Sequence, residues 1–184
     1  MWDTSVEKIG LSMARENLDD LPEVPLPVEY GWRFYRPGDE LHWARIETSA
    51  GEFSEPAEGL RRFEREFPDR EPLPERMLFL TDNGVPFATA TAWFAEGDAG
   101  LLHYVAIDAA HQGRGLCRPL TALALNRLRQ LGHCSARLDT QTWSWVAIRV
   151  YHGFGFRPVL HGESGKRGWR IVSEKTGIDF GMND

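Results

Sequence analysis

The 184-residue chain has no apolar run of about 18 residues, so no segment is long enough to cross a bilayer as a helix. Its opening stretch, MWDTSVEKIGLSMARENLDD, carries early acidic residues and no continuous apolar segment, and so does not read as a secretory signal. Cysteine is scarce: Cys117 and Cys134 are the two present, at a spacing that fits neither a metal site nor a redox motif. Both are expected to be reduced thiols of a cytoplasmic protein, and no metal centre is expected. Basic residues are outnumbered, 21 Lys and Arg against 27 Asp and Glu, for a net charge of −6. That deficit disfavours a broad nucleic-acid surface. No internal repeat and no low-complexity tract occurs.

What is present suits one packed domain. With 42% hydrophobic and 26% charged residues, the composition is that of an ordinary globular chain. The charge is uneven. Between Glu47 and Glu75 nine acidic residues face four arginines, leaving −5 of the −6 in this segment. It reads either as a solvated helical face or as a wall that attracts a cationic partner such as an amine.

Residues 1–30 end in LPEVPLPVEY, whose prolines forbid a helix and predict an extended arm or tail. Trp32 to Tyr35 reads as a strand before a Pro-Gly turn. DELHWARIETS reads as a helix with Leu41, Ala44 and Thr48 on one side, and Glu58 to Phe67 as a second helix stopped by Pro68. Met77–Thr81 and Pro86–Phe94 form a hairpin around Asp82-Asn83-Gly84. LLHYVAID, 101–108, predicts a central strand buried on both faces. Leu116, Leu120, Leu123, Ala124, Leu128 and Leu131 recur at helical spacing, with Gly132 placed to end that helix. SARLDT predicts a strand and WSWVAIRVYHG a short helix. GFRPVL and GWRIVS predict closing strands joined by the turn HGESGKRG. Helices between some strands and hairpins between others define a mixed α/β fold.

Between the 101–108 strand and the leucine-rich helix lies HQGRGLC, residues 111–117. Glycines beside a helix start let main-chain N–H groups converge where the first turn leaves donors unsatisfied and the dipole is positive. A side chain at Gly113 or Gly115 would obstruct close approach to that backbone, and Arg114 and Arg118 can add charge. Residues 112–118 therefore read as a pyrophosphate cradle, or as a plain strand-to-helix turn. A dinucleotide fingerprint fails, because Arg118 stands where the third glycine belongs. A P-loop fails at Gly162-Glu163-Ser164-Gly165-Lys166, which is too short and is followed by Arg167.

Two motifs together resemble the GCN5-related N-acetyltransferase (GNAT) superfamily. The family's phosphate loop, Gln/Arg-x-x-Gly-x-Gly/Ala after a strand, is matched by Gln112, Gly115 and Cys117. Its later Asn-x-x-Ala-x-x-Leu-Tyr followed by Gly-Phe is matched by Ser144, Ala147, Val150 and Tyr151, then Gly155-Phe156. The resemblance covers about residues 100–158 well and the N-terminal half by element order. It departs at Cys117, in place of the last small loop residue, and at Ser144, in place of Asn with its longer reach.

The resemblance implies a single GNAT-type domain over residues 31–184, after the arm, with a mixed central sheet flanked by helices and splayed central strands. It implies acetyl-CoA as cosubstrate, its pantetheine against backbone of Val105, Ala106 and Ile107. Its diphosphate would lie on Gln112, Gly113, Arg114, Gly115, Leu116, Cys117 and Arg118, with Ser144 nearby. The acceptor would be a primary amine of a small molecule or peptide, attacking the thioester directly, and the acidic 47–75 segment favours a cationic one. Tyr151 takes the general-acid position, since a phenol of pKa ~10 holds its proton at neutral pH. His103, on the central strand with a pKa near ~6.5, is the candidate base; Glu47 could reach in from the helices that shape the acceptor pocket. Asp108 and Asp139 read as supports. Trp43, Trp93, Trp143 and Trp145 are candidates to line that pocket, with core packing as the competing role. Without turnover, the same residues would make an acyl-CoA-binding sensor or regulatory module. The resemblance also leaves a homodimer open.

Overall fold

The computed structural model describes residues 2–181. Chain order runs β1 (Gly10–Arg15), β2 (Tyr30–Phe34), α1 (Glu40–Ala50), α2 (Pro56–Glu66), α3 (Leu73–Arg76), β3 (Met77–Asp82), β4 (Val85–Phe94) and β5 (Ala99–Ile107). Then follow α4 (Cys117–Gln130), β6 (Ser135–Gln141), α5 (Trp145–Gly153), β7 (Arg157–Val159) and α6 (Gly162–Thr176). The strands form one seven-stranded mixed sheet in the order β2-β3-β4-β5-β6-β1-β7. All its pairings are antiparallel except β5 with β6.

Helices cover both faces. Side chains alternate along a strand, and β3 shows the result. Met77 and Phe79 join Trp43, Phe63 and Phe67 of the α1–α2 side, while Leu78 and Leu80 join the larger cluster under α4, α5 and α6. On α4, Leu120, Ala124 and Leu128 are fully buried one turn apart, as their spacing predicts, and Gly132 follows the helix end at φ +87°. The β3–β4 turn places Asn83 at φ 47° and Gly84 at φ 83°, the left-handed pair that a two-residue hairpin needs.

Four expectations are corrected. Residues 10–15 lie inside the sheet as β1, between β6 and β7, with Leu11, Met13 and Arg15 buried at period two. The prolines of 22–27 made the whole N-terminal segment read as an arm. HGESGKRG and GWRIVS are one helix, α6. Glycine disfavours helix, but Gly165, Gly168, Trp169 and Val172 face the sheet, and a Cβ on Gly168 would lie 2.9 Å from Leu11 and 3.0 Å from Ile9. The missing side chain is what lets α6 approach β1. On α1 the buried face is Trp43, Ala44, Ile46 and Glu47, and Leu41 is 62% exposed. Burying an aromatic ring contributes about 1.5–3 kcal/mol, and packing Trp43 against Phe63 and Tyr104 sets the helix rotation. Finally, β5 is not buried along its whole length: His103, Tyr104, Val105 and Ile107 are half-buried.

Candidate active site

That partial exposure marks where the sheet opens. β5 pairs with β6 only from Ala99 to Leu101, against Ser135 to Arg137. Beyond that point β6 stays with β1 as far as Gln141, while β5 stays with β4. A cleft of about 610 Å³ fills the gap. A bulge helps turn β5 away: Thr89 faces Ala106 and Thr91 faces His103, so Tyr104 and Val105 together oppose Ala90. Tyr104 sits at φ 46°, a left-handed conformation that is costly for a bulky residue. It is held on the α1–α2 face, its ring 4.8 Å from that of Trp43 and its hydroxyl accepting from Arg62 Nε at 2.7 Å.

One end of the cleft is built of main chain. Gln112 ties the turn to β5 by donating from Nε2 to the Ile107 carbonyl at 2.9 Å. Asp108 anchors the preceding bend, accepting from the His111 N–H at 3.1 Å and facing its Nδ1 at 2.7 Å. Gly113 and Gly115 both adopt φ +77°, and a Cβ on either would meet no protein atom within 4 Å. The glycines are therefore required by backbone conformation and front open space. Helix α4 starts immediately after, with no side-chain cap; Arg118 N–H donates to the Gly115 carbonyl at 3.3 Å and Pro119 has none, which leaves the Cys117 N–H as the first-turn donor for a bound group. Val105, Ala106, Ile107, Gln112, Gly113, Gly115, Leu116, Cys117 and Arg118 all line the cleft. Arg114 does not; its guanidinium donates to the Tyr30 hydroxyl at 3.1 Å and the Ala110 carbonyl at 2.9 Å.

The middle of the cleft is walled by α5. Ser144, at its N-terminus, and Ala147, Val150 and Tyr151 all line it. Tyr151 is 6% exposed. Burial, then Cys117 and Glu47, pushes its phenol well above the ordinary value of 10.0. The hydroxyl thus keeps its proton at neutral pH and can donate it. Burial also pushes the Cys117 thiol up to about 11, which keeps it protonated at neutral pH.

The far wall is built of side chains. His103 Nε2 lies 3.0 Å from Glu66 Oε1, and Glu66 pairs with Arg62 at 3.2 Å. Burial lowers the His103 pKa below 6.5 despite the raising pull of Glu66, so the ring is neutral at neutral pH. Glu47, from α1, is 3% exposed, and its Oε1 has no hydrogen-bond partner. Burial, with a smaller push from Glu52, raises its pKa well above 4.5. Asp139 accepts from Ser12 Oγ at 2.7 Å, the supporting role expected of it. The tryptophan that lines this end is Trp2, which sequence reasoning missed. It packs 5.8 Å from Trp143, with Lys8 over both rings. Of the four tryptophans proposed for the pocket, none lines it; Trp43 is fully buried in the α1–α2 core. Nothing in an N-terminal MWDT could have signalled this, because its position depends on contacts with residues 142–145.

A seven-stranded sheet thus opens between β5 and β6 into one cleft, with an uncapped helix start at one end and a buried phenol midway. Residues 39–156 match the Acetyltransferase (GNAT) family model, and the chain belongs to that family. It is 29% identical over 174 residues to the mycothiol acetyltransferase of Nocardia farcinica, a match spanning 82% of this chain and 55% of the relative. The chain spans about half the length of the curated relatives it matches. Its fold is similar to a GCN5-related N-acetyltransferase from Sphaerobacter thermophilus, with TM-score 0.68 and 21% identity, over 83% of this chain and 49% of that one. It is also similar to a Salmonella typhimurium protein solved with its cofactor acetyl-CoA, with TM-score 0.54 and 21% identity, over 69% of this chain and 79% of that one. Among the described residues no helix is long and apolar enough to cross a membrane, and no group of His, Cys, Asp and Glu could hold a metal ion.

Proposed function

We propose that this chain is an acetyl-CoA-dependent N-acetyltransferase that acylates a primary amine of a small molecule or peptide by direct attack on the thioester. The observation that carries it is one continuous cleft joining the Gly113–Cys117 main-chain donors to the buried Tyr151 hydroxyl. The left-handed glycines and uncapped α4 start suit a diphosphate, and the β5 edge at Val105, Ala106 and Ile107, unpaired with β6, suits a pantetheine arm. Gln112, Leu116, Cys117 and Arg118 complete the donor subsite, with Ser144 beside it. Bound acetyl-CoA supplies an activated acyl group; the chain orients it, excludes water along the apolar wall and gives a proton from Tyr151 to the departing sulfur. The protonated thiol of Cys117 favours direct transfer over an acyl-enzyme.

The curated relatives share the name mycothiol acetyltransferase, and acetyl transfer is what that name brings to this chain. The surplus of acid in the 47–75 segment supports a cationic acceptor. Both free thiols suit a reducing compartment, and a cytoplasmic setting is part of the proposal. The test is thioester cleavage over a panel of amines, beside calorimetry with acetyl-CoA. Turnover with at least one amine, lost in Tyr151→Phe, is expected. Tight acetyl-CoA binding without turnover of any amine would convert the reading to an acyl-CoA-binding module.

A further inference from the structure

Three carboxyls line the cleft: Glu47, Glu52 and Asp139. Asp139 is engaged by Ser12, and Glu52 is exposed at the mouth, where Lys8 and Arg62 act on it. Glu47 differs from both. It is buried, its Oε1 makes no hydrogen bond, and only burial and the Glu52 charge act on it. Buried polar atoms without partners are rare, and a carboxyl is among the most expensive to leave so. Yet α1 turns this residue to the core side with Trp43, Ala44 and Ile46. The fold gains no hydrogen bond at Oε1 in return for burying it, and it lines the same cleft as Tyr151.

Resting on the acetyltransferase reading above, we infer that Glu47 accepts the proton released by the acceptor amine, and so fixes the acceptor subsite against α1. The titratable and charged groups lining the same cleft are Tyr104 and His103 on β5, Asp139 on β6, His111 before α4, Cys117 and Arg118 on α4, Tyr151 on α5 and Glu52 after α1; of these, Glu52, Tyr104 and Tyr151 couple to Glu47. Both tyrosines feel the Glu47 charge. His103 competes poorly for the role, because Glu66 already occupies its Nε2 and burial weakens it as a base. The step balances. As the neutral amine nitrogen bonds to the acyl carbon, one N–H proton passes to the Glu47 carboxylate. The carbon–sulfur bond breaks with its electron pair on sulfur, which takes the Tyr151 proton. Transfer of the Glu47 proton back to the Tyr151 phenolate, through solvent, restores both groups and leaves amide and free thiol.

The test compares wild type, Glu47→Gln and His103→Gln, using acetyl-CoA and the amine panel. Glu47→Gln should bind acetyl-CoA with unchanged affinity, lose about 10²- to 10⁴-fold in kcat, and lose the acid limb of the kcat/KM profile. Glu47→Asp should restore part of the rate and the limb. A second readout needs no turnover. A carboxyl whose pKa is raised on folding keeps its proton in the folded state after the unfolded chain has ionised, so its contribution to stability falls as pH rises above 4.5. Removing it should therefore raise Tm at neutral pH, with a gain that shrinks as pH falls toward 4.5. Retained rate and limb in Glu47→Gln, loss of the limb only in His103→Gln, or unfolding of Glu47→Gln would each overturn the assignment. Wild type that binds acetyl-CoA but acylates no amine defeats the acetyltransferase reading itself, and Glu47 falls with it. A defect confined to Glu47→Gln leaves that reading standing.

Discussion

The two ends of the cleft are made of different materials. At the end proposed for the donor the groups on offer are backbone: left-handed Gly113 and Gly115, the open edge of Val105–Ile107 and the start of α4. At the end proposed for the acceptor they are side chains from distant parts of the chain: Trp2, Glu47, His103 and Tyr104. Main-chain recognition needs a short local geometry and tolerates changes such as Cys117, because small residues leave the amides accessible. Side-chain recognition needs α1, α2, the N-terminal segment and β5 all in register. The donor is thus tied to a motif, whereas the acceptor is free to differ with every change in the α1–α2 wall.

The comparison can be broken at its junction first. Tyr151→Phe keeps the ring and its burial but removes the proton donor, so kcat should fall by about 10²- to 10⁴-fold while calorimetry finds acetyl-CoA bound as in wild type. Next comes the backbone end. Gly115→Val forces a β-branched residue to φ +77° and puts a side chain into the space before the amides. Strain of about 1–2 kcal/mol and obstruction act together, so acetyl-CoA affinity should fall at least about tenfold, with the amine KM little changed. At the opposite wall, Tyr104→Phe removes the 2.7 Å bond from Arg62. The expected cost is about 0.5–1 kcal/mol, read as a Tm lowered by about 1–3 °C, with the larger kinetic effect on amine KM. Smallest of all should be Arg114→Ala. Its guanidinium is spent on Tyr30 and Ala110, so acetyl-CoA affinity should change by less than about twofold. A larger loss there would mean that the donor end relies on a side chain after all.

The same division decides what the sequence made legible. The 111–117 turn, α4, the 77–94 hairpin and β5 follow from local spacing and turn chemistry, and they stand where expected. The acceptor end does not follow. Nothing in the letters around Glu47 distinguishes a buried carboxyl from a solvated one, because its burial depends on how Trp43 rotates α1 against Phe63. The bulge at Tyr104 is invisible for the same reason: it is fixed by Trp43 and Arg62 from other elements. Helix α6 misleads through its glycines, whose low propensity is outweighed by the close contact with Ile9 and Leu11 that they permit. In β1 a readable alternation, Leu11, Met13 and Arg15, was masked by the prolines that follow it.

The position of that first strand has a practical consequence. Because β1 joins β6 to β7, a shortened chain beginning at residue 31 would not simply lose a tail. Interior strand β6 would become a raw edge, β7 would have no neighbour, and α6 would lose the surface its glycines fit. Free edges of this kind recruit other chains, so such a fragment should precipitate on expression rather than yield a trimmed enzyme.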